Sequence, residues 1–364
     1  MPKTLVVSAV NFTEGGGLTV LRECLASAVK LKPIGWHIVA LVHDKSLINQ
    51  PDVELIELPI SKRSWLSHLY HEWIVFWKIS KKLNPDLWLS LHDITPIVKA
   101  RRRVVYCHNP APFYAMSWRE IYLSPKFWIF TLVYKYVYRL FIKQNYYVVV
   151  QQSWLRDAFV KMFGYLPIVV AHPLLNITVK NEVIHDQPDS TVFLYPVIPR
   201  IFKNFEVICN AASILVERGV EKFEVRLTLD GNENRYSKWV YAEYNNIAGL
   251  KFIGSQSRGQ IDRNYQEATA VVFPSKLETW GLPISEAKRY NKPLLLANLP
   301  YAHETVGNYD KVSFFPANDA SALADLMQEI IEGVWKPAGA NQDVPMFPFA
   351  RNWDDLWSIL IKDL

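Results

Sequence analysis

Short β-branched runs recur along this chain at the spacing of a strand–helix–strand series. Leu5–Val10, His37–Val42, Val53–Leu58, Leu87–Leu91, Arg103–Tyr106, Tyr146–Val150 and Pro167–Val170 read as strands, with helical segments such as Leu18–Lys30 between several of them. That alternation demands crossover connections, and so a parallel sheet. A polar stretch, Asn176–Ser190, lacks any apolar period and reads as a linker. The series then restarts with Thr191–Tyr195, a helix Asn204–Arg218, Glu224–Leu229, Leu250–Ile253, Ala270–Phe273, a helix Pro283–Tyr290 and Pro293–Ala297. Two such series in 364 residues imply an α/β chain of two Rossmann-like, doubly wound domains, 1–177 and 178–345. An amphipathic segment, 346–364, closes the chain through Trp353, Leu356, Trp357, Leu360 and Ile361. Ligands of such domains are expected at the carboxyl ends of strands, in the crevice between them.

Charge is distributed unevenly. Residues 1–180 carry 22 Lys and Arg against 11 Asp and Glu, a balance of +11, while the remainder carries 18 against 24, or −6. A basic half points to an anionic partner such as nucleic acid or a membrane surface, or merely to uneven decoration of solvated faces. Arg101-Arg102-Arg103 is the densest cluster, but no nucleic-acid motif accompanies it, so no nucleic-acid partner is expected. Cys24, Cys107 and Cys209 are few, odd in number and far apart, which excludes a disulfide framework or a CxxC metal pair and suits a reducing compartment. Met1-Pro2-Lys3-Thr4 runs straight into a strand without the features of a signal peptide. No apolar run is long enough to span a bilayer.

Two stretches interleave aromatic and basic residues. Ser61–Leu83 sets Lys62, Arg63, Lys78, Lys81 and Lys82 among Trp65, Leu69, Trp73, Ile74, Phe76 and Trp77. Lys126–Lys143 sets Lys135, Arg139 and Lys143 among Phe127, Trp128, Phe130, Tyr134, Tyr138 and Phe141. Both suit helices at a membrane interface. Ordinary helices packing aromatics on a sheet give the same pattern, and the second stretch, leading directly into a strand, fits that bland reading better.

Four constellations are placed where an α/β domain displays a site. Asn11-Phe12-Thr13-Glu14-Gly15-Gly16-Gly17 follows the first strand, and consecutive glycines allow close backbone approach before a helix N-terminus. It is not a dinucleotide fingerprint, because the nearest acidic candidate after the second strand, Asp44, lies 27 residues beyond Gly17 rather than about 20. His108 ends a strand in Val105-Tyr106-Cys107-His108-Asn109-Pro110, and Asp93 ends the preceding one. Imidazole there can hold a sugar hydroxyl or a carbonyl. Arg200 and Lys203 bracket a strand-to-helix loop, where cations neutralise phosphate. The most specific run is Phe273-Pro-Ser-Lys-Leu-Glu278-Thr279-Trp-Gly281-Leu282-Pro283-Ile-Ser-Glu286-Ala287. It combines a strand end, a loop acid, Pro at a helix start with amides around Gly281 and Leu282 aimed outward, and a second acid one turn on.

Glu278-x7-Glu286 within Pro-Ser-x-x-Glu-x-x-Gly-Leu-Pro-x-x-Glu-Ala resembles the signature of family 4 retaining glycosyltransferases of the GT-B fold. The resemblance extends over nearly the whole chain, to the glycine loop, His108, Phe252-Ile253-Gly254 and the helix at Trp353. The run His108-Asn-Pro-x-Pro-Phe-Tyr114 is similar to bacterial enzymes that build O-antigen and capsule repeat units. It implies that Glu286 accepts hydrogen bonds from the ribose, Glu278 meets the donor sugar near the reacting carbon, and Lys203 holds the diphosphate. Gly16 and Gly17 would approach the diphosphate and sugar, His108 would bind a sugar hydroxyl, and the base would lie at Ile253 beside Gly231. Thr279, Gly281 and Leu282 complete the donor-side set, and Asp93 with Asn109 stand on the acceptor side. The closing helix would cross back onto the acceptor-binding first domain.

One departure stands out. The family places Gly-Arg five residues before the lysine, where this chain has Ile198, so Arg200 is the nearest substitute. The resemblance implies transfer, with retention, from a nucleotide-sugar to a polyprenyl-diphosphate-linked glycan, at the inner face of the cytoplasmic membrane. A UDP-sugar is expected, a UDP-N-acetylhexosamine being one candidate. No cofactor is expected, and no metal, since the chain contains no Asp-x-Asp pair to hold one on a diphosphate. The alternative is a non-catalytic glycan- or nucleotide-binding module on a degenerate GT-B scaffold.

Overall fold

The computed structural model describes residues 2–13, 15–62, 65–173, 189–341 and 344–364. The linker reading of Asn176–Ser190 therefore lies outside the described residues as far as 188, as do Glu14 and Arg63. The chain forms two compact units. The first comprises Met1–Phe113, Phe130–Leu174 and Pro345–Leu364, and the second Tyr114–Ile129 and Leu175–Val344. A piece of the sequence expected in the first domain, Tyr114–Ile129, thus packs with the second.

The first half of the chain runs β1 (Lys3–Ser8), α1 (Gly15–Ala28), β2 (Trp36–Val42), β3 (Glu54–Glu57), α2 (Trp65–Tyr70), α3 (Phe76–Leu83), β4 (Leu87–Ser90), β5 (Arg102–Cys107), α4 (Trp118–Leu123), α5 (Pro125–Arg139), β6 (Tyr147–Val150), α6 (Ser153–Phe163) and β7 (Ile168–Ala171). A π turn, His71–Val75, separates α2 from α3. The strands are parallel, and most of their residues are buried, as expected for strands covered on both faces. Even the Trp88 indole lies inside, donating to Ser8 Oγ at 3.1 Å.

The second half runs β8 (Thr191–Tyr195), α7 (Phe205–Glu217), β9 (Phe223–Leu227), α8 (Arg235–Tyr244), β10 (Leu250–Phe252), α9 (Arg258–Glu267), β11 (Ala270–Phe273), α10 (Leu282–Arg289), β12 (Leu294–Ala297), α11 (Pro300–Val306), β13 (Val312–Phe315) and α12 (Ala320–Ile331). Its sheet has the order β10-β9-β8-β11-β12-β13, all parallel. The order reverses direction at β8 and β11, the switch point where α/β sheets present ligand sites. β14 (Phe349–Ala350) and α13 (Trp353–Leu360) then return to the first unit, whose order is β14-β7-β6-β5-β4-β1-β2-β3. Trp353 stacks on Tyr106 with ring centroids 5.8 Å apart, and Asp354 receives Lys30 Nζ, from the turn that follows α1, at 2.6 Å.

Both aromatic–basic stretches are helical with one packed and one open face. Tyr138 and Val137 of α5 are buried, while Leu132, Val133 and Tyr136 are exposed, Tyr136 at 70%. Phe76 is buried, while Ile74 and Trp77 are exposed. Simple packing of α5 on a sheet therefore accounts for fewer than half of its apolar residues. Trp73 meets Phe141 edge-on at 6.3 Å, so the two stretches adjoin. Among the described residues no helix is long and apolar enough to cross a membrane.

Candidate active site

In the second unit, the turn after β8 and the loop after β11 converge on one ion pair. Lys203 closes the turn Ile201–Lys203, and its carbonyl accepts the Tyr195 hydroxyl at 2.6 Å. Its ammonium pairs with Glu278, their side chains being 14% and 12% exposed. Two charges so far from water persist only when paired. The Glu278 carboxylate and burial together keep Tyr195 and Tyr301 protonated, burial being the larger cause.

Gly281 stands before α10 with φ +84°, a conformation that favours glycine, and a Cβ there would lie 3.3 Å from Phe273 and Ile284. Leu282 is the first helical residue and Pro283 the second, one position later than expected. Either position suits proline, because neither amide has an intrahelical partner. Glu286, one turn on, accepts from Tyr265 at 2.9 Å and pairs with Arg258 of α9. Burial, then Glu286, pushes the Tyr265 hydroxyl well above its ordinary range, so it stays a donor.

The remaining expected donor residues are placed less tightly. Thr279 is half-buried in the same loop. Arg200 is exposed at the start of the Lys203 turn and does not join the Lys203–Glu278 pair. Gly231 has φ +90°, and a Cβ there would sit 2.8 Å from Tyr241. The Ile253 amide donates to Leu227 at 2.9 Å, and its carbonyl accepts from Gln256 at 2.5 Å.

In the first unit the site residues cluster at the ends of β4 and β5. Asp93 has φ +65° and is buried. Its Oδ1 accepts the amides of His108 at 2.6 Å and Asn109 at 3.0 Å, and the Tyr138 hydroxyl lies 2.8 Å away. Asp93, expected on the acceptor side, holds the His108 loop in place through Oδ1. Asn109 Oδ1 likewise accepts the Ala111 amide at 3.1 Å within its own turn. His108 Nε2 lies 3.4 Å from Asp93 Oδ2, while its buried Nδ1 has no partner among the described residues. A buried polar atom without a partner is uncommon. Gly16 and Gly17 lie in the first turn of α1 rather than in a loop. A Cβ at Gly17 would come within 3.1 Å of the Phe12 ring.

Several partners are not legible as site residues in the sequence. Arg258 and Tyr265 carry no local signal beyond the cap Ser257-x-x-Gln260 that starts their helix. Glu120 of α4 is buried and lies 3.6 Å from Lys276, two residues before Glu278. It helps line a cavity of about 200 Å³ with Arg119, Asn204, Glu206 and Lys276.

Two Rossmann-like units, each built on a parallel sheet, have the GT-B fold of the solved glycosyltransferases that this chain resembles. Residues 180–338 match the family of glycosyl transferases group 1. The chain is 19% identical over 248 residues to the O-antigen chain mannosyltransferase RfbU of Salmonella typhimurium; the match covers 66% of this chain and 64% of that relative. The sucrose-phosphate synthase of Thermosynechococcus elongatus has the same fold, with a TM-score of 0.64 and 16% identity over 91% of this chain and 90% of that one. HepE of Anabaena, solved in complex with UDP-glucose, gives a TM-score of 0.59 and 15% identity over 98% of this chain and 95% of that one.

Proposed function

We propose that the chain is a retaining, family 4-type glycosyltransferase that moves a sugar from a UDP-sugar to a polyprenyl-diphosphate-linked glycan during O-antigen assembly. The observation that carries this reading is the secluded Lys203–Glu278 pair beside the open N-terminus of α10. The name of RfbU supports the choice of pathway, and the UDP-glucose in complex with HepE supports the choice of nucleotide.

The chemistry follows from these groups. A departing nucleoside diphosphate develops negative charge, and fixed cations and amides stabilise it without reorganising. Lys203 takes the diphosphate, and the amides at Gly281 and Leu282 add their dipoles. Glu278 then turns to the sugar near the reacting carbon, and Glu286 accepts from the ribose hydroxyls. No metal is required in this scheme. For the first unit, His108 Nδ1 receives a sugar hydroxyl, and the amides of the first turn of α1 at Gly16 and Gly17 favour an anion. Peripheral contact with anionic lipid at the inner face of the cytoplasmic membrane belongs to the same proposal. The open apolar face of α5, with exposed Arg139 and Lys143 beside it, supports it.

The test is UDP release from a panel of UDP-sugars in the presence of lipid-linked acceptors. Transfer that disappears in Lys203→Ala and Glu278→Gln is expected. Binding of a nucleotide-sugar without turnover on any acceptor would instead favour a non-catalytic module.

A further inference from the structure

His92, in the turn after β4, is buried and lies between two rings. Phe12 stacks on it with centroids 6.2 Å apart and planes 11° apart, and Phe76 meets it edge-on at 6.3 Å. The β1–β4 ladder has ended at this point, with Leu91 N–H donating to Ser8 and Ala9 N–H to Leu41. The next amide, that of Val10, finds no strand carbonyl and donates to His92 Nε2 at 3.0 Å. An amide can only donate, so Nε2 carries a lone pair. The proton of a neutral ring then sits on Nδ1, 3.2 Å from Glu72 Oε1. Glu72 is fully buried in the π turn His71–Val75, and π turns concentrate at functional positions. Burial pushes its carboxyl well above the ordinary range.

The rings continue the chain of contacts. Phe12 meets His108 edge-on at 5.3 Å and lies close enough to Gly17 that a Cβ there would come within 3.1 Å of its ring. We infer that His92, backed by Glu72, is a positioning residue of the transfer reaction. It fixes the end of β1 and the Phe12 ring, and through Phe12 the first turn of α1 and His108. The part that concerns transfer rests on the function proposed above; the neutral Nδ1–H form of His92 does not.

The test uses the full chain. In His92→Phe the ring volume stays and the Val10 acceptor is lost. kcat for sugar transfer is expected to fall about tenfold or more, with UDP affinity unchanged. His92→Gln, whose Oε1 reaches the place of Nε2, should recover most of that loss. Nitrogen-15 NMR of the wild-type imidazoles should show His92 neutral, protonated at Nδ1, and unchanged across neutral pH. A folded His92→Phe variant with wild-type kcat overturns the inference, as does a His92 ring that is charged or protonated at Nε2. If His92→Phe does not fold, the NMR measurement alone decides. A wild-type chain with no transferase activity refutes the functional reading, and the protonation state of His92 still tests the link to Val10.

Discussion

Lys203 and Glu278 form an ion pair that both side chains bury almost completely, on two loops that meet only in the fold. Removing one partner leaves an uncompensated charge, which costs about 3 kcal/mol or more. Lys203→Met is therefore expected to lower thermal stability and to reduce sugar transfer at least about 100-fold. The double variant Lys203→Met/Glu278→Gln should regain stability but not activity. Thermal unfolding and an initial-rate assay on both variants check this.

Glu286 already holds Tyr265 and Arg258, so its carboxylate is oriented before any ribose arrives. Glu286→Gln should weaken UDP binding about tenfold, the value of one charge-assisted hydrogen bond. Tyr265→Phe should have a smaller effect of the same sign. The UDP-induced thermal shift measures both.

Gly281 sits at φ +84° with Phe273 and Ile284 close by. Gly281→Ala should cost about 1–3 kcal/mol from backbone conformation alone. Gly219, with φ +73° and open space around the site of its Cβ, should lose less on the same change. Denaturant unfolding of the two variants separates the steric part from the backbone part.

The strand-end motifs were legible because parallel strands buried on both faces must be apolar runs, and the loops that follow them carry the polar residues. Thr191–Tyr195 and Ala270–Phe273 read correctly to the residue. Phe349–Ala350 was not legible, because two residues leave no period to detect. Nor was the grouping of Tyr114–Ile129 with the second unit, since the pairs that hold it, Arg119 over Trp239 and Arg235 over Tyr122, join residues far apart in sequence. Asp93 was legible as a strand-end acid, but its contacts were not. Spacing shows that an acid follows β4; only geometry shows its Oδ1 accepting from His108, Asn109 and Tyr138.

Asp354 links α13 to α1 through Lys30 and Ser27, and those hydrogen bonds, Lys30 first, hold its carboxyl below the ordinary range. A depressed native pKa contributes stability above the unfolded-state pKa of about 3.9. That contribution is lost as pH falls through the lower native value. Because the pair is more than half exposed, Asp354→Asn should cost no more than about 1 kcal/mol at neutral pH. The difference from wild type should vanish in strong acid. Unfolding midpoints at neutral and acid pH provide the comparison.

The open face of α5 should bind anionic vesicles and release them as salt rises. Val133→Glu/Tyr136→Glu should reduce co-sedimentation several-fold and leave the UDP-induced thermal shift unchanged. Equal recovery of wild type and variant with anionic vesicles would rule out this face.

The central claim is that Lys203 takes the diphosphate of a nucleotide-sugar in the second unit. Calorimetric titration of UDP into the full chain and into Lys203→Ala tests it most directly. The account predicts one UDP site per wild-type chain and affinity at least about tenfold weaker in a folded Lys203→Ala chain. Equal UDP affinity in the two, or no binding of any nucleoside diphosphate by the wild type, would contradict it.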